Sequence, residues 1–154
     1  MVSFERILFP TDFSAYSAAA REYAGTLAEQ FDAELHLLHV LEQHAGIDPV
    51  FAAGLAIPTA SAESSAWAEE KLAEVYTAAW TEAHRVVRAT AKGPPFLEIL
   101  RYAEEHQIDL IVMGTHGRSG LAHVLMGSVA ERVVRKSRCP VLTVRPQEHE
   151  FSMP

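Results

Sequence analysis

A single cysteine, Cys139, stands in the 154 residues, so no internal disulfide framework can form and the chain suits a reducing compartment. It lies in an apolar context just before Pro140-Val141-Leu142 and reads as a small hydrophobe rather than a reactive thiol. Long apolar runs are missing too. Nothing approaches the roughly 18 uninterrupted apolar residues of a membrane span, and Met1 to Leu8 lacks the basic region and apolar run of a signal peptide. The expectation is a soluble cytoplasmic protein. Basic residues are in deficit, with 13 against 20 acids and a net charge of −7. Such a surface repels a phosphate backbone, so nucleic acid is not an expected partner. The bases that exist gather late, as Arg132, Arg135, Lys136, Arg138 and Arg145, and read first as a solvated helix face and end.

Two phosphate motifs are absent as well. Without G-x-x-x-x-G-K-[ST] the chain is not a P-loop NTPase. Without G-x-G-x-x-G after the first strand, where Pro10-Thr11-Asp12 stands instead, a dinucleotide-binding dehydrogenase is disfavoured. There is no internal repeat and no domain linker.

What is present is 49% apolar and 21% charged residues, the balance of a globular domain long enough to bury a core. Ile7-Leu8-Phe9, stopped by Pro10, reads as a buried strand, and Thr11, Asp12 and Ser14 offer helix caps. Ala18, Tyr23, Ala24, Leu27, Ala28 and Phe31 recur at helical spacing. Glu34 to Leu41 is nearly all apolar, as a strand covered on both faces must be. From Glu42 to about Ser61 the pattern fails, and loops of that length are usually functional lids or disordered. A helix resumes near Ala62 with Trp67, Leu72, Val75, Tyr76, Ala79 and Trp80 along one side, the aromatics read as core. A short strand over His84 to Ala89, closed by Gly93-Pro94-Pro95, precedes a helix carrying Phe96, Ile99, Leu100 and Ala103, with Glu98, Glu104 and Glu105 as solvated surface. The clearest strand, Asp109 to Met113, runs into Gly114. A helix over Ser128 to Ser137 with Val129, Val133 and Val134 inward, and a last strand, Val141 to Val144, complete the pattern. Strands alternating with helices predict a single-domain, open, mainly parallel five-stranded α/β sheet with helices on both faces, over residues 1–146 with a loose tail at 147–154.

The chemistry concentrates in Gly114-Thr115-His116-Gly117-Arg118-Ser119-Gly120, directly after a strand, and in Gly127-Ser128 at a helix start. Glycines let the backbone approach a phosphate, successive N–H groups form an anion nest, and the helix start adds donors and a favourable dipole. Thr115, Ser119 and Ser128 supply hydroxyls and Arg118 a compensating charge. A merely tight turn is the plainer alternative. Asp12 reads equally as a helix cap. His36 and His39, three apart on a strand, face opposite sides and cannot share an ion, and His116 and His123 lack companions at ligand spacing, so no resident metal is expected.

Gly114-x2-Gly117-x9-Gly127-Ser128 matches the G-x2-G-x9-G-[ST] signature of the ATP-binding branch of the universal stress protein family. Ile7 to Ser14, His39-Val40, Asp109 to Gly114 and Cys139 to Leu142 also resemble that family's segments, so the likeness runs from about Phe4 to Arg145. The resemblance implies a Rossmann-like fold with sheet order 3-2-1-4-5 and a nucleotide over the ends of strands one and four. By position, Pro10 and Val40 would line the adenine pocket, with Thr11 beside them and Met113 packed nearby. Asp12 and Gly114 would meet the ribose. Thr115, His116, Gly117, Arg118, Ser119, Gly120, Gly127, Ser128 and Val129 would hold the phosphates, with a magnesium or manganese ion on the triphosphate. AMP or cyclic AMP is the alternative ligand. It also implies a homodimer through Val141 to Val144, an edge strand, and a nucleotide-dependent regulator of stress acting on a partner the sequence does not identify. The enzymatic alternative, a slow ATPase or self-phosphorylating protein, needs a positioned base, for which only His116 and Asp12 stand near the loop.

Overall fold

The computed structural model describes residues 1–42, 54, 62–116 and 126–146. The sheet is built from β1 (Arg6–Pro10), β2 (Glu34–Leu41), β3 (Val86–Lys92), β4 (Leu110–Gly114) and β5 (Val141–Val144). The helices are α1 (Ala15–Phe31), α2 (Ala62–Glu74), α3 (Ala78–Ala83), α4 (Pro95–Glu105) and α5 (Ser128–Lys136). All neighbouring strands pair in parallel, in the order β3-β2-β1-β4-β5. This is the expected single α/β sheet. Among the described residues, no helix is long and apolar enough to cross a membrane.

The two-residue period of a strand explains why the central strands are apolar throughout. Ile7, Phe9, Leu35, Leu37, Leu110 and Val112 face one way, onto Ala20, Ala24 and Ala28 of α1 and Leu72 of α2. Leu8, Leu38, Ile111 and Met113 face the other way, onto Ile99, Tyr102 and Ala103 of α4 and Ala130 and Val133 of α5. The strand starts are tied by Asp109, whose carboxylate accepts from the Glu5 and Arg6 amides at 2.8 and 2.9 Å.

Several expectations need correction. The inward face of α1 is Ser17, Ala20, Ala24, Gly25 and Ala28, while Ala18 and Tyr23 of the proposed stripe are exposed. An alanine-rich helix has little hydrophobic contrast, so small size selects the face that can approach the sheet closely. The approach is close enough that a Cβ at Gly114 would lie 2.8 Å from the Tyr16 carbonyl oxygen. The helix proposed from Ala62 to Trp80 is two helices. Thr77 caps α3, its hydroxyl accepting from Trp80 N–H at 3.3 Å. Tyr76, between the helices, fills the notch over Gly25 and donates to the Arg21 carbonyl at 2.6 Å. Trp67 is 42% exposed and is not core. Strand β3 starts later and runs further than His84 to Ala89, because its pairing with β2 continues to Leu41↔Lys92. Val134 is exposed, since α5 turns Ala130 and Val133 inward.

Glu98 was expected on the surface and is buried. It lies in the first turn of α4, where the helix dipole favours a carboxylate, pairs with Arg101 at 3.0 Å and covers Gly93. Gly93, at φ +145°, sits where side chains are rarely tolerated. The Glu42 to Ser61 loop, apart from residues 42 and 54, and the tail 147–154 lie outside the described residues.

His36 is buried beneath α4 and both of its ring nitrogens are bonded. Nδ1 meets the Tyr102 hydroxyl at 2.8 Å and Nε2 meets Glu34 at 2.9 Å. An ionised carboxylate only accepts, so Nε2 carries the proton and Nδ1 accepts from Tyr102. Burial lowers the His36 pKa below 6.5, with Glu34 opposing that shift, while burial pushes the Tyr102 hydroxyl up to about 12.

Two outcomes follow from this packing. Gly114→Ala drives a methyl into the α1 backbone and should destabilise by about 1–3 kcal/mol, the usual cost of overpacking, read as a lower denaturant midpoint. His36 binds its proton less readily folded than unfolded, so its contribution is intact above pH 6.5 and is lost as pH falls through the folded value. Urea midpoints of the wild type should therefore drop more steeply below pH 6.5 than those of His36→Gln.

Candidate functional site

In an open parallel sheet the natural cleft lies beyond the carboxyl ends of the strands, where the chain leaves a central strand for opposite faces. Here that point is the β1–β4 boundary, since β1 continues to β2 on one side and β4 lies on the other. Pro10 pairs with Leu38, and the Leu8↔Ile111 register puts Pro10 level with Met113. Pro10, Val40 and Met113 thereby end on one rim.

The turn after β1 is held by its own polar groups. Thr11 N–H continues the ladder to Leu38 O at 2.9 Å. Its hydroxyl accepts from Phe13 N–H at 3.0 Å and shares a bond with the Ser17 hydroxyl at 3.0 Å. Asp12 Oδ1 accepts from Ser14 N–H at 2.9 Å. Ser14 is the cap of α1, its hydroxyl accepting from Ser17 N–H. Asp12 therefore folds the turn ahead of the cap rather than being the cap.

Phe13 was not singled out by the sequence, yet it has φ +62°. A bulky residue in the left-handed region costs about 1–2 kcal/mol and needs support. Support comes from His39, stacked on Phe13 at 4.5 Å, and from Trp67, edge-on to Phe13 at 5.4 Å and to His39 at 6.0 Å. His39 is buried and its Nδ1 donates to the Thr11 carbonyl at 2.8 Å. A histidine in a largely apolar strand is the available signal. Its partner could not be read from spacing.

At the end of β4, Gly114 pairs with Val144, and Thr115 N–H donates to Val144 O at 3.1 Å. Thr115 and His116 are both buried, joined by a 2.9 Å bond between Oγ1 and Nδ1, and His116 lies 6.0 Å from the Tyr16 ring. Gly117, Arg118, Ser119 and Gly120 lie outside the described residues. When the chain re-enters the described structure, Gly127 N–H donates to Thr115 O at 2.6 Å. That bond seats the start of α5 directly beside the end of β4. Gly127 is the N-cap of α5 at φ −68°, with no side chain to cap the first turn, and Ser128 begins the helix. Val129 packs on the α4/α5 core. The site thus carries a glycine-fronted helix start, a threonine–histidine pair and a carboxylate-bearing turn at the carboxyl ends of two inner strands. Among the described residues no group of three or more His, Cys, Asp or Glu side chains could hold a metal ion.

The family model described as the universal stress protein family matches residues 3–145. Universal stress protein MJ0531 of Methanocaldococcus jannaschii is 35% identical, over 96% of this chain and 85% of its own. The solved structure of the MJ0577 protein covers 96% of this chain and all of its own at 28% identity, with a TM-score of 0.78. A universal stress protein solved in complex with cAMP is 25% identical, covers 94% of this chain and 98% of its own, and has a TM-score of 0.63. A family-model match over nearly the whole length, with a relative 35% identical over 96% of the chain, means that this chain belongs to the universal stress protein family.

Proposed function

We propose that this chain binds ATP at the β1–β4 rim and works as a nucleotide-dependent regulatory protein of the stress response. The observation that carries the reading is the Gly127 N–H to Thr115 O bond, which brings a glycine-fronted helix start to the strand ends where an anionic ligand would be stabilised. The cAMP complex of a relative supports an adenine nucleotide as the ligand. In this reading Pro10, Thr11, Val40 and Met113 surround the base, and Asp12 and Gly114 take the ribose. Thr115, His116, Gly117, Arg118, Ser119, Gly120, Gly127, Ser128 and Val129 receive the phosphates. A magnesium or manganese ion would accompany the triphosphate. AMP and cyclic AMP compete for the same place.

Binding rather than turnover is the favoured role. Asp12 Oδ1 is engaged by Ser14 N–H, and His116 Nδ1 by the Thr115 hydroxyl, so both candidate bases are already tied into the turns that carry them. The chain pairs with a second copy through β5, an edge strand whose Leu142 is 37% exposed. Its half-buried Cys139 thiol suits the cytoplasm.

Nucleotide extracted from freshly purified protein should be identified by mass as ATP or another adenine nucleotide. Its absence, with no heat of ATP binding in magnesium, would remove the proposal. Gly127→Val is compatible with the φ of −68° at that position, so it tests space rather than backbone strain. It should leave the circular dichroism unchanged and weaken ATP binding at least about a hundredfold, the loss of two or more charge-assisted hydrogen bonds. Leu142→Asp should move the chain from dimer to monomer in light scattering.

A further inference from the structure

We infer that His39 is a positioning residue that clamps the base-side strand to the ribose-side turn, so that the adenosine half of the site is assembled before any ligand arrives. The inference rests on the ATP-binding reading and adds to it a residue that contacts no ligand. His39 is the backbone neighbour of Val40 on β2, and its imidazole crosses to β1. A carbonyl oxygen only accepts, so the 2.8 Å contact with Thr11 O fixes the proton on Nδ1. The Thr11–Asp12 peptide is planar, so holding its oxygen also holds the nitrogen and Cα of Asp12. The same imidazole stacks on Phe13 at 4.5 Å, one residue beyond Asp12. One buried ring therefore grips both sides of Asp12, while its own backbone leads into Val40.

The conformation that is gripped is one the turn would not keep alone. Phe13 sits at φ +62°, a region that large side chains avoid. Its amide on Thr11 Oγ1 and the Ser14 amide on Asp12 Oδ1 are local bonds that other turn geometries could also make. The bond from His39 and the stack beneath Phe13 come from another strand and select this geometry. Trp67 of α2 closes the third side, edge-on to both rings, and is exposed enough to report on them.

The test uses the full chain, with His39→Phe, which keeps a stacking ring but has no donor for Thr11 O. His39→Asn is the second variant, because its side-chain amide can place a donor where Nδ1–H stands. In nucleotide-free protein, hydrogen exchange at the Phe13 and Ser14 amides should quicken about fivefold in His39→Phe, the worth of one hydrogen bond, and return towards wild type in His39→Asn. Unchanged protection overturns the clamp. Calorimetry with ATP and magnesium should show about fivefold weaker binding for His39→Phe. In an Asp12→Ala background the same substitution should cost nothing further, because the group it positions is gone. Equal losses in both backgrounds would make His39 a general stabiliser and overturn the inference. If the wild type binds no ATP, the functional reading falls, while the exchange experiment still decides whether the clamp exists.

Discussion

The parallel pairing of β1 between β2 and β4 is the constraint on which the rest of the molecule depends. Buried on both faces and flanked on both edges, β1 has no freedom of register, since a one-residue slip would exchange Ile7 and Phe9 with Leu8 across the sheet. Its end is therefore a fixed point. The turn over Thr11 to Ser14 hangs from it, the Leu38 carbonyl extends it by one more ladder bond, and α1 leaves from it in a set direction.

From that fixed point the two faces are packed by different means. On the α1 side small residues let the helix backbone come down to the sheet, which is why Gly114 has no room for a side chain. On the α4/α5 side the filling is larger and aliphatic, and one polar chain, Glu34–His36–Tyr102, is accepted because each of its groups has a partner. Close approach on one face leaves a narrow end to β4, and the bond from Gly127 to Thr115 delivers α5 to it. The tight seat of α1 on the sheet and the placing of the α5 start beside β4 are thus consequences of the same packing.

Much of this is legible in the amino-acid sequence. The alternation of apolar runs with helical stripes specified the class of sheet, and the glycine-rich stretch after β4 marked the region where its chemistry should lie. What could not be read was which groups the packing buries and brings into contact. Glu98 looked like a solvated acid because its spacing is that of an exposed position, and only the fold shows Gly93 beneath it and Arg101 beside it. Trp67 and Tyr76 looked alike as aromatics at helical spacing. One became the exposed wall of an aromatic trio and the other filled a notch over a glycine of α1. Val134 and Tyr23 are exposed although apolar spacing points them inward, because apolarity reports a preference for burial and not the direction in which a helix is rolled.

The sequence by itself determined the order of the elements, the burial of the strands and the identity of the groups at their ends, because these follow from period, composition and local turn chemistry. Tertiary structure alone decided which groups meet. Phe13 occupies a left-handed conformation because a histidine and a tryptophan from two other elements support it. Asp12 is held where it is because a ring 27 residues later in the chain reaches back across one strand spacing to the carbonyl beside it. Such contacts join residues whose separation along the chain carries no signal, and they form only after the sheet has brought the strand ends together.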